Sequence, residues 1–175
     1  AYNLYLERGK HYYFSNDFTN AEADFRAARQ LNPAEPQPVL NLAFALNSLE
    51  KFEEAERVAS VALSMNGQDA ATLALAGIIQ FYRGNYDKAT ALTNDALKAS
   101  PDMPWALGNR ALINYWQGSP DAAMSDLDKV ITAEPKNAWA LSLRARIHTE
   151  RKQLAEARKA VDAALAADEK SARAH

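Results

Sequence analysis

The chain has 175 residues, 48% apolar and 24% charged, the make-up of a globular protein that can bury a core. A formal charge of −2 and a pI near 6.0 argue against a nucleic-acid binder that relies on broad phosphate neutralisation. The chain has no Cys, so disulfides, thiolate metal sites and Cys nucleophiles are excluded, while cytoplasm and periplasm both remain open.

The first predicted helix runs from Tyr2 to Phe14 and ends at Ser15-Asn16-Asp17. The second runs from Phe18 to Leu31 and is stopped by Asn32-Pro33, where a fixed φ and a missing N–H end it. This unit then recurs every 34 residues. Ala21, Ala55, Ala89, Ala123 and Ala157 form one column, and Ala28, Ala62, Ala96, Val130 and Ala164 a second. Gly9, Ala43, Gly77, Ala111 and Ala145 form a third, and Phe18, Phe52, Tyr86, Pro120 and Leu154 a fourth. Small residues in register predict two helices packed closely against each other.

Five repeats follow, over 2–35, 36–69, 70–103, 104–137 and 138–171, in one domain. Inner turns are predicted near 15–17, 49–51, 83–85, 117–119 and 151–153, with Gly84-Asn85 and Gly118-Ser119 as punctuation. Pro101 and Pro135 close repeats 3 and 4, whereas repeat 2 has Gly67 and repeat 5 has Glu169 in that column. The last turn is therefore less secure, and residues 172–175 read as the start of a truncated sixth pair or a cap. The absence of Met and of a signal pattern at the N-terminus reads as a piece of a longer chain. Apolar stretches break well before the ~18 residues that span a membrane, which predicts a soluble protein without direct membrane insertion.

A 34-residue helix–turn–helix carrying Tyr5, Gly9, Tyr12, Ala21, Phe25, Ala28 and Pro33 resembles the tetratricopeptide repeat. The resemblance implies an all-α fold, a right-handed superhelical solenoid of paired antiparallel helices. It also implies that the first helix of each pair lines a concave surface. Chaperone-binding members hold a carboxylate with Lys, Asn and Arg from successive first helices. Here those positions hold Leu6 with Lys10, then Asn41, then Ala71 with Leu75, so only Asn41 fits. The Asn ladder of glycosyltransferase-linked members is also incomplete, with Asn41 and Asn109 but Glu7, Leu75 and Leu143.

No phosphate loop, dinucleotide fingerprint, zinc-protease motif or nucleophile elbow is present. The three His, at 11, 148 and 175, are scattered; His148 reads as a core histidine in a Tyr column. No catalytic residue, metal site or cofactor is expected, and neither is nucleic-acid binding. Glu53-Glu54 and Asp126 with Asp128 read as solvated outer faces. One charged column is informative: Arg8, Leu42, Ala76, Arg110 and Arg144 stand sixteen residues before Asp24, Val58, Leu92, Asp126 and Ala160. Arg accompanies Asp in repeats 1 and 4, which predicts facing positions filled by an ion pair or an apolar contact. Arg144, facing Ala160, is expected to find Glu150, Asp162 or a carboxylate of repeat 4, or else to leave its guanidinium open to a ligand carboxylate.

Helical spacing places Tyr13, Phe44, Ile78, Phe81, Tyr82, Trp105, Leu112, Tyr115, Trp116, Trp139 and Arg146 on the inward face of the first helices. Rings and Arg anchor interfaces, so these residues are the candidate partner-binding set. Trp105 and Trp139, at helix starts, are also placed to seal adjacent repeats. Gly108 is expected to leave room there for a ligand. The expected function is a non-catalytic scaffold holding a peptide or helical segment of a partner protein in an aromatic groove. The alternative is an assembly module of a larger protein, with its groove filled intramolecularly or by self-association; the uncapped C-terminal end offers a second self-association surface.

Overall fold

The computed structural model describes residues 1–67 and 69–173, with side chains through Ala167. These residues form ten helices and no strand: α1 (Tyr2–Phe14), α2 (Phe18–Leu31), α3 (Pro36–Ser48), α4 (Phe52–Met65), α5 (Ala70–Tyr82), α6 (Tyr86–Ala99), α7 (Pro104–Trp116), α8 (Pro120–Ala133), α9 (Ala138–Glu150) and α10 (Leu154–Arg173). They gather into two compact units, 1–99 and 100–175. In the first, α1 packs on α2, α3 on α4 and α5 on α6, with α2 also against α3 and α4 against α5. In the second, α7 packs on α8, α8 on α9 and α9 on α10.

Local chemistry sets the helix ends. Asp17, Asp69 and Asn137 accept a hydrogen bond from the backbone N–H three residues on, capping α2, α5 and α9. Proline opens α3, α7 and α8, where its missing N–H costs no helical bond. Each inner turn closes in the same way. Asp17, Lys51, Asn85, Ser119 and Gln153 donate their N–H to the carbonyl five residues earlier, at 2.8–2.9 Å. The residue before each donor lies in the left-handed region: Asn16, Glu50, Gly84, Gly118 and Lys152, with φ of 57–78°. This is the helix-terminating turn that favours glycine, and the 34-residue period places one in every repeat.

The small columns are buried. Ala21, Ala55, Ala89 and Ala123 have no exposed surface, and Ala157 has 6%. Gly9 and Gly77 are required by close approach. A Cβ on Gly9 would lie 2.7 Å from Phe25 Cε1, and one on Gly77 would lie 2.5 Å from Thr93 Oγ1. The partner's size is matched to the glycine, as side chains pack to crystal-like density.

The Arg–Asp columns pair as their spacing predicts. Arg8 donates through Nε and Nη2 to both oxygens of Asp24, each at 2.7 Å, and Arg110 does the same to Asp126 at 2.8 Å. Asp24 and Asp126 are buried while each guanidinium keeps some solvent. Both arginines are held above the ordinary guanidinium pKa, first by the hydrogen bond to their Asp. Arg144 finds Asp128 of repeat 4, Nη1 to Oδ1 at 3.4 Å.

Three expectations are corrected. Glu54, Asp126 and Asp128 are not simply solvated; each takes an arginine, Glu54 accepting from Arg26 at 2.7 Å. His148 is half-buried rather than core, its Nδ1 sharing a 2.8 Å hydrogen bond with Gln153, because an imidazole cannot stay dry without a partner. No turn follows Ala167: α10 continues through 172 and 173 because Glu169 leaves nothing to stop it. Residues 174 and 175 lie outside the described residues, including His175.

Two polar clusters tie repeats together in the first unit. Glu22 accepts from Arg26 and Lys51, both at 2.8 Å, and Arg26 reaches on to Glu54. Glu56 accepts from the buried Gln80 at 2.6 Å and faces Arg83 and Lys88. Burial pushes the Glu22 carboxyl up, but the Lys51 and Arg26 hydrogen bonds outweigh it and hold the pKa below 4.5. The Gln80 hydrogen bond does the same for Glu56 against its burial.

Two expected outcomes test this. Arg110→Leu should destabilise the chain by about 3 kcal/mol, because it leaves Asp126 buried and unpaired. Adding Asp126→Val, which copies the Leu42/Val58 pair of repeat 2, should recover most of the loss in urea denaturation. For the carboxylates, a pKa lowered by folding contributes stability that is present above the unfolded value and lost as pH falls through the folded one. The urea midpoint should therefore drop as pH falls below about 4.5, and Glu22→Gln with Glu56→Gln should flatten that drop while lowering stability at neutral pH.

Candidate functional site

The first helices carry most of the rings not consumed in packing within a pair. In the first unit Tyr13, near the end of α1, is the hub. Its ring meets Phe14, Phe18 and Phe44 edge-on at 6.0, 5.3 and 6.3 Å. Its hydroxyl shares a 3.3 Å hydrogen bond with Ser48 on α3. Beside it lies an open cleft of about 250 Å³ lined by Lys10, Tyr13, Phe14, Phe25, Asn41 and Phe44. Asn41 accepts from Gln37 at 2.9 Å, while its own Nδ2 is buried and has no partner among the described residues. The cleft is thus greasy, with one amide donor in its wall and the Lys10 ammonium, paired with Glu7, at its rim.

Tyr82, at the end of α5, is half exposed and stacks on Phe52 with ring centroids 5.1 Å apart. Ile78 and Phe81, expected on the surface, are instead buried at 6 and 8% exposure. The cause is α5 itself: it is apolar around its circumference, and every residue from Thr72 to Phe81 is buried. Phe81 supports the exposed rings from below, meeting Tyr82 at 5.4 Å and Tyr86 at 5.7 Å.

In the second unit, Tyr115 and Trp116 end α7, with Tyr115 half-buried and Trp116 57% exposed. Arg146 on α9 lies over both rings, its guanidinium carbon 5.3 and 6.0 Å from their centroids. Glu150, one turn further along α9, pairs with Arg146 at 3.5 Å and accepts a hydrogen bond from the Tyr115 hydroxyl. Burial first, and then the Glu150 carboxylate, raise the Tyr115 pKa above 10, so the hydroxyl stays a donor at neutral pH. Trp105 and Leu112 are half-buried on the same helix.

Trp139 opens α9 and is 47% exposed. Its ring covers Gly108: a Cβ there would lie 3.1 Å from Trp139 Cζ3. The room expected at Gly108 for a ligand is therefore taken by the next repeat's indole. Trp139 seals α7 to α9 with one edge and presents the rest of its ring to solvent.

Phe52 joins these clusters without having been singled out for the binding face, whereas helical spacing already puts Phe14 and Glu150 on the inward side of α1 and α9. A signal for Glu150 was present in its spacing. Tyr115 and Glu150 are 35 residues apart, as are Tyr13 and Ser48, the offset that brings neighbouring first helices side by side. Charges at the second-unit cluster cancel locally, so it presents rings more than net charge. Among the described residues no His, Asp or Glu group is placed to hold a metal ion, and no helix is long and apolar enough to cross a membrane.

Comparison with known proteins agrees with this construction. Tetratricopeptide repeat models match residues 6–71 and 74–138, and a second model of the same description matches 115–175. The chain belongs to the tetratricopeptide repeat family. No curated protein matches it in sequence. Among solved structures it is similar to TTC0263, a thermophilic TPR protein in Thermus thermophilus, at 20% identity and a TM-score of 0.84, covering 99% of this chain and 98% of that one. It is similar to a chain of the APC/C hetero-tetramer Cut9–Hcn1 at 13% identity and 0.88, covering 95% of this chain and 34% of that one. MamA is a third, at 18% identity and 0.68, covering 94% and 96%.

Gly108→Ala tests the Trp139 seal. The added methyl should lever the half-exposed indole outward and red-shift its emission in a background where Trp105 and Trp116 are Phe. Stability should change by less than about 1 kcal/mol, because helix propensity gained at the former glycine offsets the tighter contact.

Proposed function

From its membership of the tetratricopeptide repeat family, we propose that this chain is a non-catalytic scaffold that holds a peptide or helical segment of a partner protein against its first helices. The observation that carries the reading is the half-exposed indole of Trp116, backed by Tyr115 and the Arg146–Glu150 pair. A ring with a fixed neighbour loses little conformational freedom when it is covered, and such rings are the usual anchors of an interface. Trp105, Leu112 and Trp139 extend this surface in the second unit. In the first unit Tyr13, Phe44 and Tyr82 play the same part, with Ile78 and Phe81 beneath as support. The Arg146–Glu150 pair adds a direction to the site, because a partner's polar group can exchange with either member.

Binding driven by apolar burial should show modest salt dependence. The test is a displayed library of random peptides selected on the 175-residue chain, with affinities then read by tryptophan emission and calorimetry. Trp116→Ala should weaken the selected peptides by about 2 kcal/mol or more, and Asp87→Ala with Lys129→Ala on the second helices should leave them unchanged. Peptides that lose affinity only with the second pair would place the partner surface on the second helices instead.

A further inference from the structure

Repeat 5 breaks the rule that joins the two charged columns. Repeats 1 and 4 carry Arg8 with Asp24 and Arg110 with Asp126, while repeats 2 and 3 carry Leu42 with Val58 and Ala76 with Leu92. Repeat 5 alone keeps the arginine, Arg144, and sets Ala160 opposite it. In the two complete pairs the carboxylate sits on Nε and Nη2 of the guanidinium, two-pronged. Arg144 only approaches Asp128, Nη1 to Oδ1 at 3.4 Å, and Asp128 is 59% exposed. Its Nε and Nη2 have no hydrogen-bond partner among the described residues.

At this place an open cleft of about 210 Å³ lies between α9 and α10, room for about seven waters. Arg144, Leu141 and Ala160 line it, together with His148, Glu156 and Lys159. Lys159 and Glu156 pair with each other at 3.1 Å and are mostly exposed, so their charges offset. His148 shares its Nδ1 with Gln153. The Arg144 fork is the donor left over. A long, exposed contact such as Arg144–Asp128 holds a guanidinium weakly, whereas a two-pronged carboxylate matches its planar donors.

We propose that this cleft is a carboxylate site, in which a short-chain acid binds Nε and Nη2 of Arg144 as Asp24 and Asp126 bind their arginines. The acid is a free molecule or the side chain of an acidic residue, since the cleft reads only the carboxylate and its first carbons. Ala160 makes room for it, because a methyl stands where repeats 1 and 4 place a whole Asp side chain. Asp128 and Glu156 nearby disfavour a doubly charged phosphate, which selects the singly charged group. Arg144 is two residues from Arg146, about 200° round α9. The site is therefore separate from the ring surface to which Arg146 belongs.

The probe is sodium acetate, titrated at neutral pH against sodium chloride of equal ionic strength, with the arginine Nε–H signals followed by heteronuclear NMR. The Arg144 signal is identified by its loss in Arg144→Leu, and circular dichroism checks the helices. It should move saturably with acetate, half-way at about 1–30 mM, the reach of a four-atom ligand. Arg158, 85% exposed on α10, should show no saturation. Ala160→Asp supplies the carboxylate from within: its Arg144 signal should start near the acetate-saturated position, ignore acetate, and come with a higher urea midpoint. Ala160→Ser should keep the acetate response. N-acetyl-aspartate amide separates the sources: saturation by both probes supports the site for either carrier, and saturation by acetate alone supports it for a free acid. No saturable shift with either probe, an equal response at Arg158, tighter binding of phosphate than of acetate, or an acetate response that survives Ala160→Asp would overturn the proposal. None of these outcomes bears on the peptide site, which is read separately.

Discussion

Everything in this fold depends on how closely the two helices of a repeat approach. At five positions, 34 residues apart, the first helix carries only Gly or Ala. At Gly9 and Gly77 not even a methyl would fit without displacing its neighbour. The opposing side chain changes with it: Phe25 lies against Gly9 and Thr93 against Gly77. That contact brings the flanking columns within reach of each other. It lets Arg8 and Arg110 form two-pronged pairs with Asp24 and Asp126, and it lets one turn geometry close every repeat. The first helices are then free to place rings on their remaining surface.

The same economy explains where the polar residues go. Glu22 and Glu56 are carboxylates in partly dry places, each satisfied by residues from the next repeat. Thr93 departs from this, as do Asn41 Nδ2 and Asn47 Oδ1: it is fully buried with no hydrogen-bond partner for its hydroxyl among the described residues. Its hydroxyl lies where it would press on any side chain at position 77, so packing there is set at the expense of a hydrogen bond.

Much of this was legible in the sequence, since a column repeated five times is its own control. Turn positions, small columns and the Arg–Asp covariation each follow from spacing alone. Less was legible at the binding surface, because helical periodicity gives the direction of a side chain but not what covers it. Ile78 and Phe81 share a face with Tyr82, yet α5 is apolar on all sides and buries them. Gly108 reads as open space until Trp139, at the start of the next repeat, fills it. The helix stop missing after Ala167 was visible as Glu169, but a lost stop does not say whether a new turn or a longer helix follows. Left-handed residues at Asn16, Glu50 and Lys152 were hidden because only two of the five turns use glycine.

The most direct test of the central constraint is a stability cycle at positions 77 and 93, measured by urea denaturation. Gly77→Ala alone should cost about 1–3 kcal/mol, since the new methyl meets the Thr93 hydroxyl in a packed interior. Thr93→Ala alone should cost less, because its hydroxyl has no partner to lose, and the double variant should recover most of the Gly77→Ala loss. A Gly77→Ala chain as stable as the wild type, or a double variant in which the two losses simply add, would contradict the account that close approach at the small columns holds the repeat together.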